Sequence, residues 1–101
     1  MVSHKLDVLK NATILYLTID GNVEDYEVRL SGKALVVLQY PSSDVYVRFT
    51  KSKDCKGFPL KYIERIEEDF DVLVFTIENY VSETIMLGIE HQKVKIKPKG
   101  V

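Results

Sequence analysis

Apolar and polar residues alternate along several short runs of this sequence, and this pattern restricts the fold more than any other feature. In the clearest run, Val45, Val47 and Phe49 alternate with Tyr46 and Arg48. Successive side chains of a β-strand point to opposite faces of its sheet, so each such run predicts a strand with one apolar face. Strands of this kind bury their apolar faces by stacking on a second sheet. The sequence therefore predicts an all-β protein, an antiparallel β-sandwich.

Turn residues separate about eight such runs, and no segment carries a convincing helical pattern. The predicted strands are residues 14–19, 23–31, 34–40, 45–50, 70–77, 84–89 and 93–97. Residues 1–11 fit a short first strand or a loose arm equally well. Residues 60–68 could form one or two helical turns or an extended segment that leads into a bend. The preceding proline favours the extended segment. Strands of this number and length indicate a sandwich or barrel, and a jelly roll is one connectivity that fits.

Residues 34–40 and 70–77 are apolar on both faces, although only one face of each sheet in a small sandwich borders the core. The loops are short and charged, so we expect a second copy of the chain to cover the outer faces, giving a homo-oligomer. Tyrosine and arginine are favoured at interfaces, so we expect outward-facing tyrosine and arginine residues of other strands to contribute to the same interface. The residues predicted to form this interface are Leu35, Val37 and Leu73, together with Tyr16, Tyr46 and Arg48.

The size and charge of the chain limit its function classes. Its 101 residues suffice for one domain, residues 1–101, and a net charge of −1 gives no overall field to attract nucleic acid or an anionic membrane. The single cysteine, Cys55, predicts a reducing compartment. No apolar run is long enough for a signal peptide or a membrane span, so we expect a protein that is cytoplasmic at synthesis. Abundant Lys, Glu, Val and Ile indicate a thermophilic source.

No residue pattern points to catalysis or to a bound metal or cofactor. His4, His91 and Cys55 lack the paired spacing of a zinc site. Ser42 and Ser43 follow a proline at a strand end, without the glycine-flanked turn that exposes a nucleophilic serine, and are better explained as turn-capping residues. The sequence therefore predicts a protein that is not an enzyme, with no catalytic residues, no metal and no cofactor.

Lysines at alternate positions of the last predicted strand allow two interpretations. Lys93, Lys95 and Lys97 share one face, which suits contact with the phosphates of single-stranded nucleic acid. Lysines on a terminal strand also discourage a sheet edge from pairing with another chain, and we favour this interpretation. A carbohydrate-binding surface is a further alternative, since sugars bind to exposed aromatic rings and Tyr16 and Tyr46 occupy predicted outward positions.

Four segments between residues 43 and 87 resemble, in their order along the chain, a known group of proteins. Residues 43–49, 57–60, 70–77 and 84–87 form a strand, a loop with an apolar plug, a strand with a terminal turn and a closing strand. In this order they resemble the small β-sandwich proteins of bacteriophage and other virus particles, which are found in heads, tails and decoration layers. The resemblance implies a non-catalytic building block that works by self-association, with other virion proteins as further partners.

Overall fold

The computed structural model describes residues 1–51 and 55–92, which form nine β-strands and one turn of 3₁₀-helix. The strands are β1 (Val2–Val8), β2 (Ala12–Ile19), β3 (Val23–Gly32), β4 (Ala34–Val37), β5 (Asp44–Arg48), β6 (Phe58–Pro59), β7 (Arg65–Ile66), β8 (Phe70–Glu78) and β9 (Glu83–Glu90). The predicted all-β class is confirmed. Among these residues no helix is long and apolar enough to cross a bilayer.

The strands form two antiparallel sheets that pack on each other, as the sequence predicted. The five-stranded sheet has the order β1-β2-β9-β4-β7, and the four-stranded sheet has the order β3-β8-β5-β6. Strands β2 to β9 pair as nested partners, β2 with β9, β3 with β8, β4 with β7 and β5 with β6. A chain that pairs in this nested way and folds over on itself is a jelly roll, to which β1 adds one outer strand.

The inner faces of the two sheets meet in an apolar core. Alternate residues of β2, β8 and β9 lie there because the period of two places them all on one face of their strands. The side chains concerned, each at most 1% exposed, are Leu15, Leu17, Ile19, Leu73, Phe75, Ile77, Ile85, Leu87 and Ile89. The core therefore runs through the centre of both sheets, and Val2 of the outer strand β1 packs against it.

The predicted placement of Leu35, Val37 and Leu73 at an interface between copies is wrong. All three side chains belong to the core of one chain, with exposed fractions of 0%, 6% and 0%. The reason is the face on which they lie. Leu35 and Val37 pair with the core residues Ile89 and Leu87 of β9, and Leu73 shares the inner face of β8 with Phe75.

Long charged side chains cover the outer side of β8. Val74 points away from the core and is still only 2% exposed. In the sheet register it lies between Glu27 of β3 and Arg48 of β5. The aliphatic stems of such residues bury apolar surface while their charged ends remain paired or hydrated. A strand that is apolar on both faces therefore needs no second copy of the chain in this fold.

The two segments that the sequence left open contain short regular elements. Residues 1–11 include the strand β1. Residues 60–68 contain the 3₁₀ turn Leu60–Tyr62 and the two-residue strand β7, so a bend and an extended piece follow each other. The last predicted strand, residues 93–97, lies outside the described residues.

Candidate self-assembly edge

The described strands leave four sheet edges, and three of these carry features that prevent pairing with another chain. Strands β6 and β7 have two residues each. Strand β3 has ten residues, but its register shifts twice, and Asp25 at the first irregularity has a φ of 57°. Very short strands and bulges both protect sheet edges. The fourth edge, β1, has seven residues in unbroken register with β2.

The unpaired backbone groups of β1 belong to its even-numbered residues. The amide of Leu9 donates to the carbonyl of Ala12 at 2.8 Å, and the amide of Asp20 donates to the carbonyl of Met1 at 2.8 Å. Both bonds link odd-numbered positions of the first strand to β2, and the pattern alternates along an antiparallel pair. The amides and carbonyls of His4 and Leu6 therefore point away from β2. No described strand lies on that side of β1.

The side chains of β1 leave apolar surface open beside these backbone groups. Leu6 is 39% exposed, Val8 is 76% exposed and Leu9, in the following turn, is 49% exposed. His4 ties the strand to the other sheet, because its Nδ1 lies 2.7 Å from the hydroxyl of Tyr26. His4 thus holds the strand in place, and on the side away from β2 no strand of residues 1–51 and 55–92 covers it.

Of the predicted interface residues, Tyr16 lies nearest this edge. It is half-buried and pairs with Lys5 in the β1–β2 register, with the ammonium of Lys5 5.6 Å from the ring centroid. Tyr46 is half-buried on the other sheet, where the ammonium of Lys56 lies 5.3 Å from its ring centroid. A lysine over the ring is favourable for both tyrosines. The structure does not bring the two tyrosines together, since they lie on different sheets.

Arg48 lies on the outer face of its sheet, as predicted, but its predicted role as a contact residue is wrong. Its side chain is only 7% exposed, and its Nη2 lies 2.5 Å from Oδ1 of Asp25. Its Nε also donates to the carbonyl of Thr50 at 3.1 Å. The backbone irregularity at Asp25 places the carboxylate over β5, which the local alternation around Arg48 does not reveal. Arg48 is therefore a structural residue that joins β5 to the edge strand β3.

A groove of about 550 Å³ adjoins this ion pair on the outer face of the four-stranded sheet. Its lining includes Asp25 and Arg48, which pair with each other, and Lys56 and Glu78, whose charged atoms are 2.6 Å apart. Cys55, also in the lining, is exposed and free. Within residues 1–51 and 55–92, no group of three or more His, Cys, Asp or Glu side chains is placed to hold a metal ion.

Ser42 and Ser43 hold the connection between β4 and β5, in line with their predicted role in a turn. The carboxylate of Glu83 accepts hydrogen bonds from the amide of Ser42 at 3.0 Å, the amide of Ser43 at 2.8 Å and the hydroxyl of Ser43 at 2.6 Å. Burial alone would raise the pKa of Glu83, but these hydrogen bonds outweigh it and hold the pKa below its usual value. The charged form of Glu83 therefore stabilises the folded chain.

We expect Glu83→Gln to lower the free energy of unfolding by about 2 kcal/mol near neutral pH, because an amide replaces a carboxylate that accepts several hydrogen bonds. The lowered pKa means that this contribution is present above the pKa of an unfolded glutamate and is lost as the pH falls through the folded pKa. Urea unfolding at a series of pH values should show the two proteins converging in acid. Glu68→Gln is the matched control, since Glu68 is exposed. A difference in unfolding free energy between the natural protein and Glu83→Gln that stays the same at all pH values would contradict the role of the charged carboxylate.

The predicted nucleic-acid residues Lys93, Lys95 and Lys97 lie outside the described residues, and their role stays a prediction. The described part of the chain is a jelly-roll sandwich with one long, uninterrupted and uncovered edge strand. Comparison of the sequence and structure with protein-family models, curated proteins and solved structures found no match. Sequence reasoning missed β1 as a candidate site, although Val2 to Val8 does alternate, because the position of a strand in its sheet is not a local property.

Proposed function

We propose that this protein is a non-catalytic structural protein that self-associates through the open edge of β1. The observation that carries the proposal is the contrast between β1 and the other three edges. Natural β-proteins protect long edges, since a row of free amides and carbonyls pairs readily with another chain. A seven-residue edge without a bulge, beside exposed Leu6 and Val8, is therefore best explained by a partner strand.

Strand addition at such an edge uses main-chain hydrogen bonds for affinity and side chains on alternate positions for specificity. β1 offers both, because the backbone groups of its even-numbered residues face no described strand and its side chains are exposed on both faces. Most soluble oligomers are symmetric assemblies of a single kind of chain. A second copy of β1 is thus the partner that we propose.

The assembly that we propose is part of a virus particle. Two observations support this setting, the resemblance of residues 43–49, 57–60, 70–77 and 84–87 to virion sandwiches and the jelly-roll connectivity, which occurs in viral capsid proteins. Jelly rolls also serve other functions, so the edge of β1, rather than the fold, carries the proposal of self-association.

Leu6→Pro tests the use of this edge. The amide of Leu6 points away from β2, so proline removes a hydrogen bond to a partner strand without removing one from the β1–β2 pair. We expect light scattering to give about twice the chain mass of 11.6 kDa, or a higher multiple, for the natural protein, and 11.6 kDa for Leu6→Pro. Leu6→Thr, which keeps the amide and favours strand structure, is the control and should still associate. A natural protein that stays monomeric at millimolar concentration would overturn the proposal.

A further inference from the structure

We propose that two copies of β1 pair antiparallel about a two-fold axis at Leu6, so that Lys5 of each copy lies opposite Asp7 of the other. This inference rests on the proposed self-association and adds the orientation and register of the two strands. It joins the two five-stranded sheets into one continuous sheet.

Symmetry and hydrogen bonding leave few possible registers. A two-fold axis that relates antiparallel strands of one sheet is perpendicular to that sheet, so opposite residues are both odd-numbered or both even-numbered. The backbone groups of β1 that no described strand pairs with belong to even-numbered residues, which then form the hydrogen-bonded pairs. The axis can pass through His4, Lys5, Leu6 or Asp7.

The charges of β1 select one of these four positions. An axis at Lys5 places this lysine opposite itself, and an axis at Asp7 does the same for the aspartate. An axis at His4 pairs Lys5 with Ser3, so the lysine gains no oppositely charged neighbour. Only the axis at Leu6 places Lys5 opposite Asp7, and symmetry does so twice. Opposite charges across strands are favourable and like charges are unfavourable.

The same register pairs the apolar side chains on the other face of the strand. Leu6 lies opposite Leu6 of the second copy, and Val8 lies opposite His4, whose ring is fixed by the hydroxyl of Tyr26. Leu6, 39% exposed in the single chain, thus meets its own copy at the axis, and Val8, 76% exposed, becomes a diagonal neighbour of Leu6 of the second copy. Burying them removes apolar surface from water. The charges therefore select the register, and the Leu6 pair on the other face is compatible with it.

Charge reversal separates this register from the others. K5D and D7K each place like charges opposite one another when the axis is at Leu6, and we expect each to weaken dimerisation by about tenfold, measured by analytical ultracentrifugation. The double variant K5D/D7K restores two opposite-charge pairs and should return the dissociation constant to within about threefold of the natural value. With the axis at Lys5, K5D would exchange a Lys–Lys pair for an Asp–Asp pair and D7K would lie opposite Ser3, so neither variant would weaken dimerisation tenfold.

Cysteine pairs provide a second readout in a background in which the free thiol of Cys55 is replaced by serine. K5C/D7C should form a disulfide-linked dimer on oxidation, whereas K5C alone and D7C alone should not. Cross-linking of K5C alone would place the axis at Lys5 and overturn the register. A dimer without rescue by K5D/D7K also overturns the register but leaves self-association intact, while a monomeric natural protein overturns both.

Discussion

Leu73→Ala is expected to lower the free energy of unfolding by about 3 kcal/mol, since it deletes a fully buried side chain from the centre of the sandwich. β8 lies between two other strands, so the space left by the side chain closes poorly. Chemical denaturation at equilibrium measures this change. The variant should still self-associate under conditions in which it is folded, because Leu73 is part of the core and not of the edge.

Leu38→Ala is the matched control for this substitution. It removes the same atoms from a side chain that is 50% exposed, and the expected loss is well under ~1 kcal/mol. The opposite result for Leu73, a normal stability with a loss of self-association, would return this residue to the interface that the sequence alone suggested and would contradict the described core.

Arg48→Met is expected to cost about 3 kcal/mol, because it removes the guanidinium that pairs with the carboxylate of Asp25 in a largely buried position. Methionine keeps most of the aliphatic stem over Val74, so the expected loss reports the ion pair rather than the packing. The measurement is again the unfolding free energy, compared with that of Arg29→Met.

Arg29 provides a demanding comparison because it also pairs with a carboxylate, that of Glu27, at 3.0 Å, but its side chain is 80% exposed. An exposed pair of this kind contributes little, so Arg29→Met should change stability by less than about 1 kcal/mol. Equal losses of unfolding free energy in Arg48→Met and Arg29→Met would show that burial does not increase the contribution of the Arg48–Asp25 ion pair to stability.

The sandwich could be predicted from the sequence because strand alternation is a local property. The runs around Val28, Val47 and Leu87 each show the period of two that fixes which side chains enter the core. The nested pairing of β2 to β9 was one of the connectivities that such a pattern allows. Periodicity alone, however, does not give the order of strands in a sheet.

The site residues were harder to predict because they depend on that order. Leu35 and Leu73 were assigned to an interface on the assumption that apolar residues on both faces require a second copy. The structure shows that neighbouring strands contribute cover for β8 through the stems of Glu27 and Arg48, residues distant in the sequence. The pairing of Arg48 with Asp25 was missed for the same reason, since Asp25 lies on another strand.

Backbone amide hydrogen exchange along β1, measured at increasing protein concentration, tests self-association through this strand most directly. The amides of His4, Leu6 and Val8 point away from β2 and should become protected as the concentration rises. The amides of Lys5 and Asp7 point towards β2 and should be protected at every concentration, which makes them an internal control. Fast exchange of the three outward amides at all concentrations would contradict the proposal, as would protection that does not depend on concentration.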